Sequence, residues 1–336
     1  MSAALWLGFA ASLAASLAVT WLALKAGVLD FPNARSSHVR PTPRAGGLGI
    51  VAGLGAGALA TAFTAVPADG AGLILAITGL FAALGLADDL VTVPTRLKFA
   101  VVAVLCAALA YGAGPVTRLA LTLEIGVDLP VWLGLAGSAL FVFVVVNAVN
   151  FMDGSDGMLA AVMIPASAGL CLAGLASGTG AAALIGAALA AALAGFALFN
   201  RPPANIFAGD VGSLGAGAAY AGGALAMAGQ GFSGSLWLAP LFVLVFLSDV
   251  LLTLLARARH GRLSLEAHRE HIYQRLIQAG WGHGRVAFAY GALTGLIVLS
   301  GLAAAQGPDG LAPAVFAAWV VILCGLYAGA ARRARA

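Results

Sequence analysis

The sequence predicts an all-α, polytopic integral membrane protein of about eleven transmembrane helices, with the N-terminus outside and the C-terminus cytoplasmic. Of 336 residues, 62% are hydrophobic and only 9% are charged, which lies far outside the composition of soluble globular proteins. The apolar runs are long enough to cross a hydrocarbon core of ~30 Å. Lys and Arg are confined to alternate loops. We therefore expect a functional site built from cytoplasmic loops.

The predicted spans follow one another without a linker or a repeat, so residues 1–336 are expected to form one domain. The apolar runs are 3–24, 48–66, 71–87, 98–114, 131–149, 158–176, 180–199, 212–229, 236–256, 286–305 and 311–331. The first run has no basic segment before it and no convincing cleavage site, which favours a first span over a removed signal peptide. The three cysteines lie inside spans and show no metal-binding spacing.

Charge sets the predicted orientation. With the N-terminus outside, every Lys and Arg except Arg118 falls in an inner loop or in the inner tail, and all five His do as well. The opposite orientation would reverse the positive-inside rule almost completely. A cationic inner face suits anionic substrates, although attraction to anionic lipid headgroups would explain the same charge.

An acidic pair, Asp88-Asp89, ends the third span between Leu86 and Leu90. Carboxylates at the edge of the hydrocarbon are costly, and two like charges side by side raise the pKa of one of them. The pair therefore indicates a proton acceptor or a cation site, with a solvated helix end as the plain alternative. Lys98, at the start of the next span, could reach a phosphate held near this pair, or could simply extend towards the membrane surface.

Two further inner loops collect oxygen-bearing side chains. After the fifth span come Asn147, Asn150, Asp153 and Asp156, which suit Mg²⁺ or hydrogen bonds to a base or a ribose. The terminal Glu of an EF-hand is missing there. Asn200 begins the other loop, and Asp210 ends it just before a helix. The free N–H groups of that helix would favour phosphate, and Asp210 could hold a bridging cation or act only as a helix cap.

The longest inner loop predicts a helix over Leu265–Ala279, capped by Ser264 and closed by Gly280. His268, His271 and Arg275 would then share one face and could clamp a pyrophosphate. An amphipathic helix lying on anionic lipid is the alternative. The spacing of the two histidines does not match the His-Glu-x-x-His zinc motif.

Two other features complete the inner side. In the first inner loop, Asn33, Arg35 and His38 suggest the wall of a site, although its arginines could serve orientation alone. Asp249 is an acid inside the ninth span, and we expect it to form a structural pair with Arg or Lys.

Five segments in this order resemble the polyprenyl-phosphate N-acetylhexosamine-1-phosphate transferases, the MraY/WecA-like membrane enzymes of glycosyltransferase family 4. The segments are Asp30–Gly47, Asp88-Asp89, Asn147–Gly157, Asn200–Ser213 and His268–Leu276. The run His-Arg-Glu-His-Ile-Tyr-Gln-Arg-Leu in the last segment is most similar to the bacterial WecA/WbpL branch.

The resemblance implies transfer of a sugar-1-phosphate from a UDP-N-acetylhexosamine to undecaprenyl phosphate, with release of UMP. It implies Mg²⁺, for which Mn²⁺ could substitute, bound by Asp210 and Asn150. It implies that Asp88 is the base, supported by Asp89, and that the acid following the pair in some relatives is absent, because Leu-Val-Thr follows Asp89. The substrate-binding residues that it implies are Lys98, Asn147, Asp153, Asp156, Asn200, His268, His271, Arg275, Arg35 and Thr42. The expected setting is the bacterial inner membrane with the site facing the cytoplasm, no nucleic acid, and a homodimer as one possible assembly.

Several alternatives remain open at this stage. Direct attack by the lipid phosphate is favoured, with a covalent route through Asp88 as the second possibility. A secondary transporter would also use acids in the membrane, but it predicts them near span midpoints, whereas here they lie at inner helix ends. The Asp-rich core of a CDP-alcohol phosphotransferase is missing, because Met-Leu-Ala follows Gly157. The sugar and the glycan pathway stay open.

Overall fold

The structure is a computed structural model that describes residues 3–27, 29–30, 42–62, 69–91, 93–229, 234–262 and 269–333. Arg35 and His268 lie outside these residues, as does the side chain of Thr42. The helices are α1 Ala3–Ala26, α2 Gly47–Ala62, α3 Ala71–Val91, α4 Thr95–Ala113, α5 Val131–Met152, α6 Met158–Ser177, α7 Gly180–Asn200, α8 Gly209–Ala228, α9 Ser235–Leu241, α10 Leu244–Arg259, α11 Ile272–Gln278, α12 His283–Ala305 and α13 Leu311–Arg333. The strands are β1 Leu29–Asp30, β2 Thr42–Pro43, β3 Arg118–Ala120 and β4 Gly126–Asp128.

The all-α, multi-pass membrane fold is confirmed. Within the described ranges, nine helices are long and apolar enough to cross a membrane, and the pair α9 and α10 raises the number to ten if the two form one span. The predicted span 48–66 corresponds to α2, which has 16 residues, and residues 63–66 lie outside the described part. The count of eleven and the orientation of the termini therefore stay predictions.

The predicted span 236–256 is broken into two helices. It consists of α9 and α10, which meet at a bend of 67°. Pro240 lies inside α9, close to the break, and cannot donate a backbone hydrogen bond. Helix α10 meets α11 through Asp249, which accepts hydrogen bonds from the N–H groups of Ile272 and Tyr273.

Helix α8 is the centre of the bundle. It packs against α2, α3, α5, α6 and α7. Of its 18-residue apolar stretch, 94% is buried inside the protein, whereas the corresponding share in α13 is 11%. Its sequence is rich in Gly and Ala, so neighbouring backbones come close. A Cβ added to Gly47 in α2 would overlap the backbone of Gly212. The N-terminus of α8 is consequently held in the middle of one end of the bundle.

Consecutive spans alternate in direction, so the polar loops meet at that same end. Short backbone pairings join them: Phe207 donates to the Pro43 carbonyl (2.9 Å) and Gly46 donates to the Phe207 carbonyl (2.9 Å). At the opposite end, β3 and β4 form an antiparallel hairpin between α4 and α5. The five polar segments identified in the sequence therefore belong to one end, as far as they are described.

The predicted helix Leu265–Ala279 is shorter than expected. Residues 263–268 lie outside the described part, Arg269 and Glu270 are not helical, and the helix begins at Ile272 with His271 as its N-cap. The helical spacing that placed His271 and Arg275 with His268 on one face therefore does not hold. The physical reason is an acid on α10 that binds the first N–H groups of α11, as described below.

Candidate active site

Four elements bring the central site together. Asp88 and Asp89 lie in the last turn of α3, Lys98 in the first turn of α4, Asn150 in the last turn of α5 and Asp210 in the first turn of α8. A Cβ added to Gly85 would overlap the backbone of Asp210, so this glycine allows α3 to lie directly against the start of α8.

Lys98 links two carboxylates. Its Nζ donates to Asp88 Oδ2 at 2.8 Å and also contacts Asp210 Oδ2. The three side chains are only 19–24% exposed, so the pairing is largely shielded from solvent. The other oxygen of Asp88 accepts a hydrogen bond from the Val93 N–H at 2.7 Å. A cation held between two acids from different helices is thus the central feature of the site.

Asp89 has a different task from Asp88. Its two oxygens accept hydrogen bonds from the N–H groups of Asp210 and Val211, each at 3.1 Å. These N–H groups belong to the first turn of α8 and have no partner within the helix. Arg44 balances the charge, with Nη1 3.8 Å from Asp89 Oδ1. Asp89 therefore holds the start of α8, and with it Asp210, in place.

Asn150 lies against Asp210 on the other side. Its Nδ2 donates to Asp210 Oδ1 at 3.0 Å and to Ser213 Oγ at 2.8 Å. To ligate a metal, the amide would have to turn so that its oxygen faces the ion. Asn147, one turn earlier, donates to the Phe143 carbonyl of its own helix at 2.7 Å. Its role in substrate binding stays a prediction.

Asp153, the residue after α5, adds another acid to this region. Burial raises the pKa of Asp153 well above its usual value, and the negative charges of Asp210 and Asp89 raise it further, while Arg44 opposes them. At Asp153, the negative charges of Asp210 and Asp89 thus have larger effects than the positive charge of Arg44.

The donor set fits a hard divalent cation. No group of three or more His, Cys, Asp or Glu side chains suited to a metal is present in the described ranges. Mg²⁺ does not need one, because it commonly binds one or two carboxylates together with substrate phosphates and water. Asp210 with Asn150 supplies such a partial set, and the surrounding carboxylates favour added positive charge.

Two residues predicted to bind substrate fasten the loops to each other. Asn200 is 2% exposed; its Oδ1 accepts from the Gly157 N–H at 2.9 Å and its Nδ2 donates to the Ile206 carbonyl at 2.8 Å. Asp156 Oδ2 accepts from the Ala204 N–H at 3.0 Å. Both residues join the loop after α5 to the loop before α8. Contact of either with substrate stays a prediction.

Two of the three residues of the pyrophosphate clamp predicted around α11 are described, His268 is not, and the clamp stays a prediction. His271 is buried, with Nδ1 3.4 Å from Asp249 Oδ1. Arg275 donates through Nε to the Glu270 carbonyl at 2.8 Å. The predicted pairing of Asp249 with Arg or Lys is wrong, because Arg257 instead donates to Glu270 Oε1 at 2.8 Å. Asp249 instead accepts hydrogen bonds from the N–H groups of Ile272 and Tyr273 and from the hydroxyls of Thr253 and Tyr290, with the His271 ring beside it.

Three residues at the site were missed as site residues by the sequence. Arg44 was grouped with arginines that could serve orientation alone, yet it faces Asp89. Ser213 lies in a recognised segment but received no role, although it binds Asn150. Tyr273 also lies in a recognised segment, two residues after His271, and received no role, although its hydroxyl binds the Phe151 carbonyl.

A helical membrane bundle with a carboxylate–lysine–amide cluster at one end defines the class, a multi-pass membrane protein with a charged site at that end. The family model described as Glycosyl transferase family 4 matches residues 71–228, which contain most of this cluster. The chain is 30% identical to decaprenyl-phosphate N-acetylglucosaminephosphotransferase of Mycobacterium tuberculosis, over 80% of this chain and 73% of the relative. It is 28% identical to a probable undecaprenyl-phosphate N-acetylglucosaminyl 1-phosphate transferase of Bacillus subtilis (78% and 73% covered). It is 31% identical to phospho-N-acetylmuramoyl-pentapeptide-transferase of Rhodopseudomonas palustris (81% and 82% covered).

The chain therefore belongs to the polyprenyl-phosphate hexosamine-1-phosphate transferase family, within glycosyl transferase family 4. The resemblance recognised from the five segments is confirmed, and with it the transferase class. The family match does not test the individual site residues, whose roles rest on the geometry above.

Proposed function

We propose that this protein transfers an N-acetylhexosamine-1-phosphate from a UDP-sugar to undecaprenyl phosphate, giving the lipid diphospho-sugar and UMP. The observation that supports this most directly is the Lys98 ammonium between Asp88 and Asp210. It marks a position at the end of the spans where a lysine cation lies among oxygen ligands. A lipid phosphate and a nucleotide diphosphate both require such a position.

The chemistry follows from charge. An oxygen of the lipid phosphate forms a bond to the β-phosphorus of the donor, and the bond from that phosphorus to the bridging oxygen breaks. UMP leaves with the electron pair. Because both reactants are anionic, the protein has to offset their repulsion and align them. Lys98 is placed to move from the carboxylates to the incoming phosphates, and Asp88, released from Lys98, accepts any proton left on the lipid phosphate.

Asp210 and Asn150 would hold the Mg²⁺ of this reaction, with Mn²⁺ as a substitute, while Asp89 keeps Asp210 at its place. When bound, the ion supplies charge neutralisation at the phosphates and at departing UMP. A covalent route through Asp88 is the second mechanism, because the departure of Lys98 also frees Asp88 Oδ2 for attack.

We also propose that the site faces the cytoplasm of a bacterial inner membrane. The positive-inside distribution of Lys and Arg supports this orientation. UDP-sugars are cytoplasmic metabolites, and an inner-facing site would meet them directly. Several relatives are bacterial proteins named for polyprenyl-phosphate substrates, which agrees with the proposal.

The test is release of UMP by purified protein in detergent, with undecaprenyl phosphate and a panel of UDP-N-acetylhexosamines, with and without Mg²⁺. Asp210→Asn removes one charge from the central site and should abolish release. Asp128→Asn is the matched control, because Asp128 lies in the hairpin at the opposite end of the bundle and is 75% exposed.

The expected result is UMP release that requires lipid, donor and Mg²⁺, persists in Asp128→Asn and is lost in Asp210→Asn. Equal release without lipid would contradict a transferase of this kind. Undiminished UMP release by Asp210→Asn would show that Asp210 is not a required metal ligand. The donor that supports turnover would name the sugar.

A further inference from the structure

Tyr273 joins α11 to the turn between α5 and α6. The side chain is 1% exposed, and its hydroxyl donates to the Phe151 carbonyl at 3.2 Å. Burial, together with the charges of Asp249 and Asp153, raises the pKa of Tyr273, so the hydroxyl keeps its proton and acts as a donor. The hydroxyl also lies directly against Gly154. A single side chain from α11 therefore contacts the end of α5 and the second residue of the turn that follows it.

The first turn of α11, which carries Tyr273, is firmly held. Asp249 on α10 accepts hydrogen bonds from the N–H groups of Ile272 at 2.9 Å and of Tyr273 at 3.3 Å. Tyr290 on α12 donates to the same carboxylate at 2.7 Å, and His271 lies beside it. All of these groups are buried. The first turn of α11 is thus fixed to two spans, and Tyr273 extends from a rigid support.

The other end of the contact lies beside the central site. Phe151 directly follows Asn150, which binds Asp210, and Gly154 directly follows Asp153. A displacement of this turn would move Asn150 and Asp153 together. We propose that Tyr273 is a positioning residue whose hydroxyl sets the place of the α5–α6 turn, and through it Asn150, for phosphate transfer. This inference rests on the function proposed above.

Removing only the hydroxyl tests the contact. Tyr273→Phe keeps the packed ring, so the fold should persist while the turn gains freedom. Displacements of about 1 Å at a reacting centre can lower rates up to 100-fold. We expect kcat to fall about tenfold, with the KM for the donor changed less than about threefold, because the geometry at the transition state is affected more than ground-state binding.

Tyr220→Phe is the matched control. Tyr220 is also fully buried, and its hydroxyl also donates to a carbonyl, that of Ala239 at 2.8 Å. It lies ten residues along α8 from Asp210, which is ~15 Å of helix. The two variants should lose similar amounts of thermal stability, but only Tyr273→Phe should lose kcat. An equal loss of kcat in both would assign the effect to general destabilisation and overturn the inference.

A second pair of variants tests the same contact from the other side. A Cβ at position 154 would overlap the Tyr273 hydroxyl, while the next ring atom, Cζ, lies 3.2 Å away. Gly154→Ala should therefore lower kcat further than Tyr273→Phe does. In the double variant the clash is relieved, so kcat should return to the level of Tyr273→Phe alone. Strictly multiplicative losses in the double variant would show that the two positions are independent and would refute the proposal.

The two proposals fail differently. Wild-type protein with no lipid-dependent UMP release would refute the proposed function and the inference together. Active wild-type protein with an unchanged kcat in Tyr273→Phe would refute the inference alone.

Discussion

Asn200 is predicted to bind substrate, whereas its hydrogen bonds indicate that it fastens two loops to each other. Its amide is buried and uses both ends, accepting from the Gly157 N–H and donating to the Ile206 carbonyl. Asn200→Ala removes both partners at once and leaves a buried donor and a buried acceptor without hydrogen bonds. We expect a substantial loss of thermal stability.

The magnitude follows from these two bonds. A buried polar group left without a partner costs about 1–3 kcal/mol, so the variant should lose about 2–6 kcal/mol. For a chain of this size, 1 kcal/mol lowers Tm by roughly 2 °C, which gives a fall of roughly 4–12 °C. The loops should keep their positions in the variant, because the Asp156 carboxylate also joins them.

Thermal unfolding in detergent, followed by tryptophan fluorescence, measures this shift. Asn147→Ala is the matched control, because Asn147 donates only to the Phe143 carbonyl, four residues back in its own helix. That carbonyl is within the helix hydrogen-bond ladder, so its loss leaves no uncompensated group. A wild-type Tm for Asn200→Ala combined with a raised KM for the donor would refute the loop-fastening role and restore the binding role.

Three further predictions concern the central site. Lys98→Met leaves two acids without their cation, so the metal-free variant should lose about 2 kcal/mol of unfolding free energy. Added Mg²⁺ should then raise the Tm of the variant by more than it raises the Tm of wild type, and equal Mg²⁺ shifts would contradict this. The raised pKa of Asp153 means that the folded protein binds more protons than the unfolded chain and loses stability as pH rises through that pKa. Asp153→Asn should therefore have a higher Tm than metal-free wild type at about pH 8, and no higher Tm at a pH below the usual Asp pKa. A higher Tm at both pH values would refute this prediction. Gly85→Ala should push α3 from α8, costing about 1–3 kcal/mol and most of the UMP release, whereas Gly79→Ala on the same helix, with nothing within 4 Å of the added Cβ, should preserve both.

The membrane fold could be predicted because the apolar runs and the distribution of Lys and Arg are properties of the chain itself. Alternating spans also place Asp88, Asn150 and Asp210 at one end without any knowledge of packing. Their pairing could not be predicted. Lys98 contacts Asp210 across 112 residues of sequence, and Asp89 caps a helix from another part of the chain. Such contacts depend on which helices become neighbours, and periodicity carries no information on that.

The error at α11 has a specific cause. Propensity allowed a helix from Leu265, and an acid was visible at Asp249, but the sequence did not show that the two would meet. Asp249 binds the N–H groups of Ile272 and Tyr273, which defines the first turn at that point. The bend before α10 had a visible signal, Pro240, yet an apolar run of normal length concealed it.

Because α8 is almost completely buried, the protein has a fixed central helix and a peripheral rim formed by the turns between helices. Asp210 opens a helix enclosed by protein on nearly every side, so any shift of that acid would require several spans to move together. The turns between the helices approach the same point from the periphery. A bundle of this design can accept a different sugar by exchanging rim segments while phosphate chemistry continues unaltered at its axis. Relatives named for N-acetylglucosamine and for N-acetylmuramoyl-pentapeptide are consistent with that division of labour.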